Sequence, residues 1–201
     1  MEELWESLPP PAARPPGLVR RLRAQSATLP FFHHMAAARL IHWEKTHDAL
    51  MRESTVARAH RRDLVFDPEA IGAQPLVILS GEAMLLRNDG GDAVPLDFVL
   101  RRGDCISKEV LTWLDPMAVA LIATGDLLLL KLPSLTYSRS LKLPHLEHLI
   151  RYADLFGRVP VLRDCPAATL RALAMAGRGV LADAGAQIAR QGAPCPGLIA
   201  L

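Results

Sequence analysis

The chain has 201 residues, half of them apolar, with 23 lysines and arginines against 21 aspartates and glutamates. That is length for one domain, or for one domain and part of a second, with enough apolar side chain for a buried core. The formal charge of only +2 gives no electrostatic ground for nucleic acid or an anionic membrane as the main partner.

The start, MEELWESLPPP, is acidic and proline-rich and lacks the basic and apolar regions of a secretory signal. Prolines fix φ and remove donors, so PPPAARPP reads as extended, and residues 1–31 are expected to be a flexible Pro/Arg-rich arm. Arg20, Arg21 and Arg23 read as a solvated helix face; the kinase-like spacing of Arg23 and Ser26 is common by chance. In residues 31–53 the apolar side chains Phe32, Met35, Leu40, Trp43 and Leu50 follow a helical period, which predicts one or two helices. His34 and His42 are too far apart to share a helix turn, so no metal is expected there.

From Asp63 onward the texture changes. LVF (64–66), PLVILSGEAMLLRN (75–88), VPLDFVLRRGD (94–104) and AVALIATGDLLLLKLP (118–133) are short apolar runs separated by turn signals. That pattern predicts an antiparallel all-β roll or barrel across residues 63–133. After Pro133 the period is helical again, with Leu143, Leu146, Leu149 and Ile150 on one expected apolar face, continued by Tyr152, Leu155 and Phe156. His145 and His148 stand three apart with no third ligand in view and read as exposed helix histidines. No apolar run approaches the ~18 residues of a membrane span. Cys105, Cys165 and Cys195 form no CxxC pair and are odd in number, which predicts reduced thiols in an intracellular, cytoplasmic protein.

LVILSGEAMLL, then LRRGDCISKE and DPMAVALIA, resemble in order and spacing the cyclic nucleotide-binding domain family. There a strand ending in Leu-Ser-Gly leads through a hairpin to a Gly-Asp turn, a phosphate-binding cassette and a Pro-Arg-Ala-Ala-Thr-Val segment. The resemblance implies a mainly β fold with flanking helices (α+β), an antiparallel, jelly-roll-like β-roll, the first domain with its helices covering residues 32–153. GAQIARQGAPCPGLIAL, with Gly185, Ile188, Gln191 and Gly192, resembles the opening strands of a second copy over residues 154–201. The chain reaches Leu201 before a second cassette, which reads as the front of a tandem protein.

Aligning Gly103-Asp104 and Pro116 with the family pattern puts Ser107 at the cassette glycine, Lys108 at its glutamate and Met117 at its arginine, with Ala118 following. The resemblance gives the glutamate the ribose hydroxyl and the arginine the cyclic phosphate. Methionine brings no cation, and a lysine cannot accept a hydrogen bond from a hydroxyl. A one-residue slip places Glu109 in the ribose position but leaves the phosphate without its arginine. Losing one partner of a buried charge pair costs about 2–5 kcal/mol, or roughly 30- to 3,000-fold in affinity.

The expected function is therefore a non-catalytic regulatory or scaffold protein whose first pocket has lost its ligand and whose partner is another protein. The alternative is a genuine cAMP or cGMP sensor binding nucleotide mainly through the second domain. No nucleophile elbow, Walker loop or His-Glu-x-x-His motif argues for an enzyme, and no cofactor or metal is expected.

Overall fold

A computed structural model describes residues 2–38 and 40–177, and beyond these only residues 183–188, 190 and 192. The chain divides within one helix into two units, residues 1–148 and 149–201.

In the first unit α1 (Glu2–Glu6), a 3-10 turn (Pro11–Ala13), α2 (Pro16–Ser26), α3 (Pro30–Ala37) and α4 (Trp43–Glu53) precede the strands. The expected flexible arm is thus a correction. Pro11, Pro16 and Pro30 sit in the first turns of helices, where the missing N–H has no partner to lose and the fixed φ suits the helix. Pro16 and Pro30 open α2 and α3 in this way. Trp5, Val19, Leu22 and Leu29 join Phe32, Met35, Leu50 and Met51 in one buried cluster. Each fully buried apolar side chain of this size contributes about 1.5–3 kcal/mol, which is what ties the segment down. Arg14 adds a polar clasp: its guanidinium donates to the Pro9 carbonyl at 3.0 Å and to the Met51 and Arg52 carbonyls at 2.8 and 3.2 Å. The last two lie at the C-terminus of α4, where the helix leaves carbonyls unsatisfied and favours a cation.

Strands β1 (Thr55–Ala59), β2 (Leu64–Phe66), β3 (Leu76–Ser80), β4 (Ala83–Asp89), β5 (Asp92–Leu100) and β6 (Cys105–Ile106) follow. Then come α5 (Lys108–Leu114), β7 (Ala118–Ala123), β8 (Leu127–Lys131) and α6 (Ser134–Ser140). They form two four-stranded sheets, ordered β1-β8-β3-β6 and β2-β7-β4-β5, with antiparallel pairing throughout. This is the expected β-roll with flanking helices, although its first strand begins at Thr55, ahead of the expected Asp63. The TVARA sequence of β1 carries too little apolar alternation to mark it.

The runs LVIL and LLLL explain the layering. The first four residues of both β3 and β8 are buried, as strands covered on two faces must be. Val77, Leu79, Leu128 and Leu130 face the helical cluster, which leaves Leu76, Ile78, Leu127 and Leu129 for the interior of the roll.

Two glycines of the recognised motifs are required by the backbone. Gly81, after the Leu-Ser pair, has φ +84°, and a Cβ there would collide with the Asp126 carbonyl. Gly103 has φ +92°, and a Cβ would collide with the ring of Pro30. Its N–H donates to Ile78 O at 2.7 Å and its carbonyl accepts from Phe31 N at 3.2 Å. The Gly-Asp turn thereby joins the roll to the start of α3.

Helix α7 (Lys142–Arg158) crosses the division between the units. Its expected apolar face is corrected: Leu149 is buried, but Leu143 and Ile150 are 66% and 50% exposed. In the second unit a 3-10 turn (Pro160–Leu162) and α8 (Ala167–Ala176) follow, with Gly177 lying against Tyr152 and Phe156. The opening strands expected over Gly185–Leu201 fall largely outside the described residues.

Candidate functional site

The cassette-like segment runs from β6 through α5 to the start of β7. Ser107 caps α5, its Oγ accepting from Val110 N at 3.3 Å, which satisfies one of the orphan donors of a helix start. The same hydroxyl donates to Glu109 Oε2 at 2.9 Å and lies 3.3 Å from the Tyr137 hydroxyl of α6. Ser107 is only 2% exposed. Ser107, expected at the cassette glycine position, has its hydroxyl fully engaged by this chain.

Lys108 turns away from that network. Its ammonium pairs with Glu69 Oε1 at 2.9 Å, both side chains being largely exposed. Glu109 faces Lys142 on α7, with 3.6 Å between Nζ and Oε1. Each cassette position expected to meet a ribose therefore already has a partner of its own.

Met117 is 52% exposed. Its N–H donates to Asp115 Oδ1 at 2.8 Å and its carbonyl accepts from Asn88 N at 2.8 Å. These bonds fix the turn into β7 while the side chain offers no charge. Ala118 follows as the cross-strand partner of Arg87 on β4. The structure thus brings Ser107 and Glu109 together, pairs Lys108 with Glu69, and ties Met117 through its backbone to Asp115 and Asn88. Arg87 was not singled out in the sequence, because pairing across β4 and β7 is not written in local spacing.

Two residues behind Ser107 were also missed. Tyr137 and His145 are buried, the tyrosine hydroxyl lying 3.1 Å from His145 Nδ1. The expectation of an exposed His145 is corrected. Burial, with His148 and His34 nearby, pushes its pKa down to about 3, and burial pushes the Tyr137 phenol well up. Phe31 packs edge-on against His145 with ring centroids 4.9 Å apart.

Elsewhere Ser26 Oγ lies 2.7 Å from His47 Nε2. Both residues are buried, so the pair has no approach for a substrate. Burial, then the charge of Arg23, pushes His47 down to about 4. Among the described residues no group of three or more His, Cys, Asp or Glu side chains could hold a metal ion. Among the same residues no helix is long and apolar enough to cross a membrane.

No family model and no curated protein matches the chain. Solved structures do. The chain is similar to the regulatory domain of Toxoplasma gondii protein kinase A in co-crystal with cAMP, at 16% identity and TM-score 0.53 over 82% of this chain and 60% of that one. It is similar to the regulatory subunit of a cAMP-independent protein kinase A from Trypanosoma cruzi bound to guanosine, at 16% identity and TM-score 0.54, over 81% and 55%. A mutant of the corresponding Trypanosoma brucei subunit, bound to cAMP in its A site, matches at 18% identity and TM-score 0.50 over 72% and 50%. The chain spans between half and three-fifths of the length of these structures. Its fold is that of the cyclic nucleotide-binding domain.

Proposed function

We propose that this chain is a non-catalytic regulatory or scaffold module, built on a cyclic nucleotide-binding fold whose first pocket has lost cyclic-nucleotide binding, and acting through contact with another protein. One observation carries the reading: Met117, which the resemblance aligns with the phosphate-binding arginine, is half-exposed and uncharged. The engagement of Lys108 by Glu69 and of Glu109 by Ser107 and Lys142 supports it. A similar fold serves as a regulatory subunit in the trypanosome and Toxoplasma proteins, and a kinase-like partner is the corresponding proposal here.

Calorimetry on the whole chain tests it. The wild type is expected to show no heat of binding with cAMP or cGMP at micromolar ligand. Met117→Arg with Lys108→Glu returns the phosphate cation and a ribose acceptor, and is expected to restore weak binding; Ser107→Gly added to them lets the cassette backbone approach the ligand more closely. Tight binding of either nucleotide by the wild type would falsify the reading.

The missing cation favours one second reading. A pocket without a phosphate partner suits an uncharged nucleoside, the kind of ligand present in the Trypanosoma cruzi structure. Guanosine in the same titration separates the two: heat with guanosine alone assigns a nucleoside sensor, and silence with all three assigns a scaffold.

A further inference from the structure

The polar groups at the start of α5 form a single chain of hydrogen bonds that reaches α6 and α7, and counting hydrogens fixes its direction. Ser107 has one hydroxyl hydrogen, and the Glu109 carboxylate 2.9 Å away only accepts. Ser107 Oγ must therefore accept the hydrogen of the Tyr137 hydroxyl, 3.3 Å away. Tyr137 then has no hydrogen left for His145, so its oxygen accepts from His145 Nδ1 at 3.1 Å. That assigns the imidazole its proton on Nδ1. At the far end Lys142 Nζ stands 3.6 Å from Glu109 Oε1.

We infer that this relay is a built-in latch: His145, Tyr137, Ser107, Glu109 and Lys142 hold the cassette helix α5 against α6 and α7 in place of a bound ligand. The inference rests on the proposed function and deepens it, because it names what keeps the cassette and the following helices together when no nucleotide is present. Ser107, Tyr137 and His145 are all buried, so the Ser107–Tyr137 and Tyr137–His145 bonds are shielded from competing water, and a group left unpaired there is costly; the Glu109–Lys142 end is partly open to solvent. The depressed pKa of His145 agrees with a neutral ring. The edge-on Phe31 ring limits its rotation.

The test uses the whole 201-residue chain. Ring-nitrogen NMR of the wild type is expected to show His145 protonated on Nδ1, and Tyr137→Phe, which keeps the ring and loses only the hydroxyl, is expected to abolish that signature. In hydrogen exchange, Tyr137→Phe and Ser107→Ala are each expected to speed the α5 amides by about tenfold, with the double variant well short of the product of the two. The β3 amides should not change. A wild-type His145 protonated on Nε2, or exchange effects that multiply independently, overturns the latch. Wild-type cAMP binding with the Nδ1 signature intact would overturn the proposed function and leave the latch standing; silence in calorimetry without the signature would do the reverse.

Discussion

A Cβ added at Gly103 meets two obstacles at once, a φ of +92° and the ring of Pro30. The left-handed conformation costs a non-glycine residue about 1–2 kcal/mol, and forcing an extra carbon into a packed site costs about 1–3 more. Gly103→Ala is therefore expected to destabilise the protein by about 2–5 kcal/mol, read as a lowered midpoint in urea unfolding; a loss under 1 kcal/mol would show that α3 can give way. Such positions were legible in the sequence because the demand is local: Leu-Ser-Gly and Gly-Asp announce a backbone that needs glycine. Tyr137 and His145 were not legible. Their role comes from α5, some thirty residues upstream of Tyr137, and a tyrosine or histidine on an amphipathic helix carries no mark of the side it buries.

Between elements, polar side chains do the joining, and they give the helical layer its own pH response. His47 of α4 bonds Ser26 of α2 at 2.7 Å and stacks on Phe32 of α3 at 4.8 Å. Its pKa falls to about 4 in the folded chain, against an unfolded value near 6.5. As pH drops through 6.5 the unfolded state takes up the proton first, so stability is present above that value and is lost progressively down to about 4. The loss is about 2 kcal/mol between pH 7 and 5, and His145 adds a similar amount because burial holds it at about 3. His47→Gln is expected to flatten the stability–pH curve by roughly half; an unchanged slope would place the proton uptake elsewhere. Arg14 is the second joint. Arg14→Ala removes bonds from a charged donor to three carbonyls and is expected to cost about 1.5–3 kcal/mol in denaturant unfolding. Arg14→Lys should recover only part of this, since a point charge cannot reproduce the guanidinium fork.

In the first unit α1, α2, α3, α4 and α6 share a single buried cluster with the sheet β1-β8-β3-β6. The β-roll was visible in the sequence because the runs LVIL and LLLL and the turn glycines report burial and chain reversal directly. The docking of the N-terminal segment was not, because prolines report an extended chain and a helix start equally well, and only the burial of Trp5, Val19 and Leu22 decides between them. Hydrogen exchange is expected to be slowest in β3 and β8, which are covered on both faces, and deletion of residues 1–29 should accelerate it in both strands. Unaltered protection after the deletion would mean that the roll stands without its helical cover.

Trp5 also gives the protein an optical handle. Its indole is buried with the apolar residues of α2 and α4, whereas Trp43 and Trp113 are only partly covered. In a variant carrying phenylalanine at those two positions, the remaining emission would be blue-shifted while the N-terminal segment is docked and would move to the red on release. A partner protein that competes for the surface beneath that segment could then be followed by fluorescence in real time, with no attached dye.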